Sequence, residues 1–225
     1  MRKFGLIGKN INYSFSMAFF DAKFKAENIT DASYENFDIE NIRDFPSVLD
    51  NNSNIKGLNV TIPYKELIIP YLDKLNKTAR EIGAVNTIKL TKKGHLKGYN
   101  TDYFGFKESI KPLLRPNHKS ALILGTGGAS KAVAYALDKM EIQYQYVTRL
   151  ASESVTLSYN TLTDDDIKNN TIIINCTPLG TFPNVNECPN IPYHVLTENH
   201  LLFDLIYNPK MTQFLKKGKQ KNATT

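Results

Sequence analysis

The sequence lacks the features that mark membrane-spanning, secreted and metal-binding proteins. No window approaches the roughly 18–20 uninterrupted apolar residues of a membrane helix, and residues 1–8 meet glycine too early for a secretory signal. The two cysteines, Cys176 and Cys188, lack CxxC spacing, so they favour neither a metal cluster nor a disulfide framework. The four histidines are isolated. We therefore expect a protein of the reducing cytoplasm, with no metal and no membrane partner.

The surplus of positive charge is small. The chain has 28 Lys and Arg against 22 Asp and Glu, a formal net charge of +6, without a basic stripe interleaved with aromatics. This balance argues weakly for an anionic ligand and against nucleic acid. With 225 residues, of which 41% are hydrophobic, the chain is long enough for one large globular domain or two small ones.

Segments of strand and helix character alternate in the first half, which predicts an α/β fold. A helix is expected from Tyr64 to about Leu75, with Pro70 kinking or splitting it. The other predicted elements are strands at Phe4–Ile7, Leu58–Ile62 and 84–90, and helices at Ser16–Lys25 and from about Thr101 or Asp102.

From residue 120 onward, the order of segments predicts a Rossmann-type, doubly wound parallel sheet built on a βαβ unit. The stretch 151–170 carries no full-length amphipathic helix, so the second crossover is expected to be short. We predict an α/β domain over 1–104 and a dinucleotide-binding domain over 105–225. The segments behind this prediction are the strand 120–124, the helix 129–140, the strand 143–148 and the apolar runs 171–176 and 201–206.

A glycine-rich turn, Gly125-Thr126-Gly127-Gly128-Ala129, links the strand at 120–124 to the next helix. Glycines allow a tight turn and let backbone amides approach a pyrophosphate at the helix N-terminus. The spacing departs from G-x-G-x-x-G because Ser130 takes the third position, and a plain strand-to-helix turn is the alternative.

The end of the next strand bears on the choice of nucleotide. NAD sites usually place an acid about 20 residues past the glycines, whereas here the strand ends in Thr148 and Arg149. A guanidinium matches the charge and oxygen geometry of a 2′-phosphate, which favours NADP. The alternative for Arg149 is a solvated surface charge.

Polar residues in the first half stand at strand and helix ends. Asn59 and Thr61 share one face of their predicted strand. Lys65 follows in the first turn of a helix, whose positive N-terminus disfavours an ammonium, so it is a candidate general acid or base. The alternative is an exposed surface lysine.

The remaining polar candidates also have ordinary structural alternatives. Asn86 lies within an apolar strand and needs hydrogen-bond partners if it is buried. Asp102 stands where a helix N-cap is common, and Ser14 and Ser16 stand before a helix that either serine can cap.

Several motifs, taken in order, closely resemble those of shikimate dehydrogenases, and together they cover essentially the whole chain. Their shared order is far more specific than any single motif. The motifs are Phe4–Gly8 with Ser14–Ser16, Asn59–Lys65, Ile82–Thr87, Gly98–Phe106, Leu124–Ala129, Asn175–Gly180 and Asp204–Pro209.

The resemblance implies NADPH-dependent reduction of 3-dehydroshikimate to shikimate in aromatic amino-acid biosynthesis, with the site in a cleft between two domains. It implies that Lys65 and Asp102 form the catalytic pair and that Ser14 and Ser16 bind the substrate carboxylate. The implied pocket residues are Asn59, Thr61, Asn86 and Tyr207. The implied NADP(H) contacts are Gly125, Gly127, Gly128, Ala129, Thr148, Arg149 and Leu205. A monomer or homodimer is expected.

The sequence departs from the family in three places. Tyr64 replaces the usual histidine before the lysine, for which we expect little consequence. Thr148-Arg149-Leu150, with Glu153 where a second arginine is common, leaves dual use of NAD and NADP open. Family members also continue for several dozen residues beyond this end, with a helix that supplies a substrate-binding glutamine, so we expect a truncated sequence. Two other functions remain as alternatives to NADPH-dependent shikimate dehydrogenase: an NAD-dependent quinate/shikimate dehydrogenase and a non-catalytic nucleotide-binding regulator.

Overall fold

The computed structural model describes residues 1–12, 14–149 and 157–225. The chain forms two compact units, Met1–Thr101 and Asp102–Thr225. Each unit buries its own sets of hydrophobic side chains and so has its own hydrophobic cores.

The helix at the start of the second unit explains where the chain divides. This helix runs from Asp102 to Ile110 and buries Phe106 and Ile110, which lie one turn apart, in the core of the second unit. The division predicted after residue 104 falls inside this continuous helix, which belongs wholly to the second unit.

The first unit is built on a mixed sheet. Its strands are β1 (Arg2–Gly8), β2 (Ala32–Asp38), β3 (Ile55–Val60), β4 (Lys74–Leu75), β5 (Thr87–Leu90) and β6 (Leu96–Tyr99). Within the described residues their order is β2-β1-β3-β5-β6-β4. Both neighbours of β1 are parallel to it, whereas β5 runs antiparallel to β3 and to β6. β2 is an edge strand that the sequence analysis missed.

The helices of the first unit are α1 (Ser16–Ala26), α2 (Phe45–Asp50), α3 (Tyr64–Leu67) and α4 (Lys77–Ile82). The helix predicted from Tyr64 to about Leu75 ends earlier than expected, and the split predicted at Pro70 is confirmed. α3 ends at Leu67, a 3-10 turn at Ile69–Tyr71 contains Pro70, and β4 then pairs with β6. Proline lacks the amide proton and clashes with the preceding turn, so an α-helix does not continue through it.

The two faces of the first sheet differ in character. One face packs on the main core of the unit, which includes Ile7, Leu58, Val60, Tyr64, Ile68 and Ile88. On the other face, α1 packs on a smaller apolar group made of Phe4, Leu6, Ile11, Phe20, Phe24 and Tyr34. Asn59 is paired with Leu6, and Thr87 is paired with Asn59, so both polar side chains lie on the face that carries α1.

The second unit contains a parallel sheet. Its strands are β7 (Ser120–Leu124), β8 (Gln143–Thr148), β9 (Leu157–Ser158), β10 (Ile172–Asn175) and β11 (Leu201–Asp204). Over the residues that the structure describes, the order is β11-β10-β7-β8-β9, and every pair is parallel. Its helices are α5 (Asp102–Ile110), α6 (Gly128–Lys139), α7 (Asp164–Asn169) and α8 (Gln213–Lys219).

Helices cover both faces of this parallel sheet. Alternate residues of β7 point into different cores: Ala121 and Ile123 pack with α5 and α6, while Leu122 and Leu124 pack with α7 and α8. This is the doubly wound arrangement, and it confirms the α/β fold predicted from the sequence.

The predicted short crossover falls partly outside the described residues, which resume at Leu157. The part that is described holds the two-residue strand β9 and the six-residue helix α7. Along the described ranges, no helix is both long enough and apolar enough to cross a membrane.

Candidate active site

A chain of side-chain hydrogen bonds runs across the α1 face of the first sheet. The hydroxyl of Tyr34 on β2 donates to Asn59 Oδ1 on β3 at 2.8 Å. Asn59 Nδ2 then donates to Thr87 Oγ1 at 3.4 Å, and the Thr87 hydroxyl donates to Asn86 Oδ1 at 3.0 Å. We call these four residues, with Thr101 at the far end, the amide–hydroxyl chain. It joins two of the predicted pocket residues, Asn59 and Asn86.

Asn86 also fixes the segment that leaves β6. Its Oδ1 accepts the backbone N–H of Thr101 at 2.9 Å, and its Nδ2 donates to Thr101 Oγ1 at 2.9 Å. The side chain is half-buried and has the partners that the sequence analysis required. Thr101 immediately precedes Asp102, so Asn86 holds the residue before a predicted catalytic group.

Lys65 is the second residue of α3, and its position is fixed by its neighbours. The carbonyl of Lys65 accepts the N–H of Val85 at 2.7 Å, which ties α3 to the segment before Asn86. The lysine is half-buried, unlike an ordinary surface lysine. It therefore lies in a short helix held against the rest of the first unit.

Tyr64, the residue before Lys65, anchors this short helix in the core. The ring is 3% exposed, and its hydroxyl donates to the carbonyl of Ile39 at 2.7 Å. Burial raises the pKa of Tyr64 above its ordinary value, so the phenol stays protonated as a donor. The residue next to Lys65 therefore has a definite role in positioning α3, which the sequence analysis missed.

Thr61 follows the end of β3 and does not belong to the strand. Its backbone still bonds on both sides: its N–H donates to Ile7 at 2.8 Å, and its carbonyl accepts from Tyr64 at 2.9 Å. A Cβ at Gly8 would come within 2.6 Å of Thr61 Cγ2 and would also clash with Ile11 Cγ2. Glycine at position 8 is therefore what allows the loop after β1 to approach Thr61.

The two serines lie where this loop enters α1. Ser14 donates its N–H to Ile11 at 2.8 Å, and Ser14 Oγ accepts the N–H of Ser16 at 3.2 Å. Ser16 is the first helical residue, and the N-cap position is occupied by Phe15. The capping alternative thus holds in part for Ser14, which satisfies one first-turn amide, and not for Ser16.

The carboxylate of Asp38, at the end of β2, holds the start of the same loop. It accepts the backbone N–H of Asn10 at 2.8 Å and that of Ile11 at 3.0 Å. The loop that carries the serines is therefore attached to the edge of the sheet, a contact that the sequence analysis did not single out.

The glycine turn of the second unit has the geometry of an anion site. Gly125 has φ +102°, and a Cβ there would lie 3.2 Å from Thr177 Cγ2, so glycine is required. A Cβ at Gly127 would meet nothing within 4 Å, which leaves room at the N-terminus of α6. The first turn of α6 carries no acidic residue. Its amides and open space therefore fit a nucleotide diphosphate.

Ser130, which replaces the third glycine of the common motif, is an internal part of the turn. It is fully buried, and its hydroxyl donates to the carbonyl of Gly127 at 2.6 Å. The departure from G-x-G-x-x-G therefore adds a hydrogen bond within the turn.

The end of β8 carries the residues predicted to select the nucleotide. Thr148 accepts the N–H of Tyr159 through its carbonyl at 3.1 Å, and Arg149 is exposed. Burial raises the pKa of Tyr159 to about 12, and the nearby charge of Arg149 acts in the opposite direction. The predictions for Leu150 and Glu153 concern residues outside those that the structure describes.

A buried carboxylate organises the loops after β10 and β11. Asp204 accepts from Asn175 Nδ2 at 3.1 Å, from the N–H of Ile206 at 3.0 Å and from Thr212 Oγ1 at 2.6 Å. Burial raises the pKa of Asp204, and these three donors oppose that rise. The sequence analysis included Asp204 in a motif but assigned it no role, although a polar residue at the end of a buried strand is a usable signal.

The segment after Asp204 carries two predicted contact residues. Leu205 donates its N–H to the carbonyl of Asn175 at 3.1 Å, and Tyr207 lies two residues further with its side chain 62% exposed. The carboxyl ends of β7, β10 and β11 meet at one edge of the sheet, so the glycine turn and these loops share that edge.

The predicted catalytic and substrate-binding residues are divided between the two units. Lys65, Asn59, Thr61, Asn86 and the serines belong to the first unit, while Asp102 begins the second. The pairing of Lys65 with Asp102 therefore stays a prediction. Among the described residues, no group of three or more His, Cys, Asp and Glu side chains is arranged to hold a metal ion.

The chain is similar in sequence to proteins of a known family. Residues 6–88 match the family model described as shikimate dehydrogenase substrate binding domain. A protein of Methanosphaera stadtmanae named shikimate dehydrogenase (NADP(+)) is 38% identical over 239 residues, spanning 98% of this chain and 83% of the relative.

Two solved structures with different ligands resemble the chain to a similar degree. Shikimate 5-dehydrogenase of Thermus thermophilus in complex with NADP(H) and shikimate superposes with a TM-score of 0.85 at 28% identity, covering 100% of this chain and 86% of the other. Quinate dehydrogenase of Corynebacterium glutamicum in complex with NAD superposes with a TM-score of 0.84 at 28% identity, with the same coverage.

Proposed function

The chain belongs to the shikimate dehydrogenase family, and we propose that it catalyses the reversible, NADPH-dependent reduction of 3-dehydroshikimate to shikimate in aromatic amino-acid biosynthesis. The observation that carries this proposal is the 38% identity over 98% of the chain to a relative named shikimate dehydrogenase (NADP(+)). The matched residues extend over both units, so the proposal concerns the two units together.

The glycine turn fits the diphosphate of NADP(H), as its open N-terminal helix end indicates. We assign Gly125, Gly127, Gly128 and Ala129 to the diphosphate, Thr148 and Arg149 to the 2′-phosphate, and Leu205 to the nicotinamide end. Bound NADPH supplies the hydride. The role of these residues is to hold the nucleotide in one orientation, and a guanidinium at position 149 matches the charge of the 2′-phosphate.

The substrate contacts come from hydroxyl and amide groups. The hydroxyls of Ser14 and Ser16 donate to the substrate carboxylate from the N-terminal end of α1, whose partial positive charge favours an anion. The amides of Asn59 and Asn86 are oriented by the amide–hydroxyl chain to bind substrate hydroxyls. Thr61 and Tyr207 complete the proposed contacts.

Lys65 and Asp102 are the proposed catalytic pair. As the ketone carbon accepts hydride, negative charge develops on its oxygen, and the Lys65 ammonium donates a proton to that oxygen. Solvent then restores the proton on the lysine. The Asp102 carboxylate orients the ammonium and stabilises its charged form.

A test of this mechanism compares two lysines of the first unit. Lys65→Met is expected to lower kcat for shikimate oxidation by roughly 10²–10⁴-fold, the usual contribution of a general acid or base. Lys77→Met is the matched control, because that side chain is 89% exposed and lies 3.9 Å from Glu81, an ion pair of little value. Equal kcat in wild type and Lys65→Met would remove Lys65 from the mechanism.

The pair is tested by a double variant. Asp102→Asn is expected to lower kcat, and the combined Lys65→Met, Asp102→Asn variant should be little worse than Lys65→Met alone, because residues that act as a unit are not additive. Strictly multiplicative losses would show that the two groups act independently.

Quinate oxidation with NAD is the second candidate, favoured by the similarity to quinate dehydrogenase in complex with NAD. The ratio of kcat/KM for shikimate and quinate, each with NADP and NAD, separates the two. Arg149→Ala should lower kcat/KM for NADP by roughly tenfold and leave NAD nearly unchanged. Nucleotide binding without turnover of either acid would indicate a regulator instead.

The proposed assembly is a monomer or a homodimer that acts in the cytoplasm on small molecules. Size-exclusion chromatography with light scattering measures the oligomeric state directly. A larger particle would contradict the proposal.

A further inference from the structure

Tyr34 on the edge strand β2 contacts two parts of the proposed substrate site. Its hydroxyl donates to Asn59 Oδ1 at 2.8 Å. Its ring stacks on that of Phe20, with centroids 4.3 Å apart and planes inclined by 10°. Phe20 lies on α1, the helix that begins at Ser16. One buried residue, 4% exposed, therefore links Asn59 to the helix that begins at the second of the two serines.

We propose that Tyr34 is a positioning residue for the substrate. Its hydroxyl holds the Asn59 amide with the N–H side toward the substrate hydroxyl, and its ring holds α1 so that Ser14 and Ser16 meet the carboxylate. This inference rests on the proposed function, since it assigns Tyr34 a part in binding shikimate.

The orientation of the Asn59 amide follows from the donors around it. An amide presents an acceptor on one side and two N–H donors on the other. Because Tyr34 donates to Oδ1, Nδ2 faces the other way and reaches Thr87 Oγ1 at 3.4 Å. Thr87 in turn donates to Asn86 Oδ1 at 3.0 Å, so the bonds of the amide–hydroxyl chain run in one direction.

The far end of this chain is fixed by a group that can only donate. The backbone N–H of Thr101 reaches Asn86 Oδ1 at 2.9 Å. Loss of the Tyr34 hydroxyl leaves the near end without its donor, and the Asn59 amide can then turn so that Oδ1 accepts from Thr87, whose hydroxyl gives up its bond to Asn86, which keeps the N–H of Thr101 as a donor. A turned amide presents an acceptor where the substrate hydroxyl needs a donor.

Tyr34→Phe tests the hydroxyl while keeping the stacked ring. The KM for shikimate is expected to rise roughly 3- to 10-fold, the range for one neutral hydrogen bond, with kcat and the KM for NADP within twofold. Tyr193→Phe is the matched control in the second unit, since it removes a hydroxyl that donates to Pro189 at 2.7 Å. It should lower stability and leave the KM for shikimate unchanged.

A double variant distinguishes positioning from general destabilisation. If Tyr34 acts through Asn59, then Tyr34→Phe added to Asn59→Ala should raise the KM for shikimate no further. An equal rise in both backgrounds overturns the proposal, and so does an unchanged KM in Tyr34→Phe alone. Phe20→Leu, which removes the stacking partner and keeps the hydroxyl, is the second variant if Tyr34→Phe does not fold. An unchanged KM for shikimate in folded Phe20→Leu likewise overturns the proposal.

Calorimetry with shikimate separates failure of this inference from failure of the proposed function. A wild type that binds and oxidises shikimate while Tyr34→Phe matches it overturns only the role of Tyr34. A wild type that binds shikimate without turnover still tests Tyr34 through the dissociation constant, with the same 3- to 10-fold rise expected. A wild type that neither binds nor oxidises shikimate overturns both.

Discussion

Replacement of Asp204 by alanine should destabilise the second unit far more than replacement by asparagine. The carboxylate accepts three hydrogen bonds, from Asn175, Ile206 and Thr212, and alanine leaves all three donors without this acceptor. Bonds to a charged group contribute about 1.5–3 kcal/mol each, and relief of charge burial offsets part of their loss. We therefore expect Asp204→Ala to lower the free energy of unfolding by about 3 kcal/mol.

Asparagine keeps the shape and most of the contacts. Its Oδ1 still accepts from Asn175 and Ile206, and its Nδ2 donates to Thr212 Oγ1, whose hydroxyl turns to accept. The change also removes a buried charge, so the free energy of unfolding at pH 7 should stay within about 1 kcal/mol of wild type.

The pH dependence should differ between wild type and Asp204→Asn. Burial raises the pKa of Asp204 in the folded state, so the folded protein keeps this proton to a higher pH than the unfolded chain. The contribution of Asp204 to stability therefore falls as pH rises from about 4 through its folded pKa, and Asp204→Asn lacks this fall.

Urea unfolding followed by circular dichroism at several pH values measures each of these quantities. A loss of about 3 kcal/mol corresponds to a midpoint lower by roughly 1–3 M urea. Wild-type stability in Asp204→Ala would refute the reasoning. So would a loss in Asp204→Asn as large as that in Asp204→Ala.

Two further predictions concern the second unit. Burial lowers the pKa of His118 in the folded state, so the unfolded chain binds this proton more readily. His118 should therefore cost no stability above about pH 6.5, and the free energy of unfolding should fall as the pH drops from there through the folded pKa. Thermal midpoints at pH 7.5 and 5.5 should show this loss in wild type and less of it in His118→Gln; equal losses would contradict it. Gly125→Ala forces alanine into φ +102°, so it should lower the free energy of unfolding by about 1–2 kcal/mol and raise the KM for NADP. Gly105→Ala is the control: its Cβ would lie in open space on α5, so this change should be neutral or stabilising. Similar midpoints and KM values for the two alanine variants would rule out the strained turn.

The pattern of apolar and polar residues along the chain was enough to predict several strands and helices of the second unit. The strand predicted at 143–148 matches β8, and the helix predicted at 129–140 lies within one residue of α6 at both ends. The central strands β7 and β10 are buried on both faces, so they form apolar runs that are visible without knowledge of their partners.

The elements that the sequence analysis missed depend on distant partners. β2 has few apolar residues and is a strand because it pairs along its whole length with β1, about thirty residues earlier. The contact of Tyr34 with Asn59 spans 25 residues, and that of Asp204 with Asn175 spans 29. The resemblance to shikimate dehydrogenases implied Asn59 and Asn86 as site residues, but the side chains that orient them became visible only in the fold.

The alternation of side chains along β7 has a consequence for how the second unit unfolds. Ala121 and Ile123 belong to one core, and Leu122 and Leu124 belong to the other, so a single strand completes both. Neither helical layer can separate without exposing the strand that the other layer needs. The two layers are therefore expected to melt together, as one cooperative transition, and a cavity made on either side of β7 should lower the stability of both.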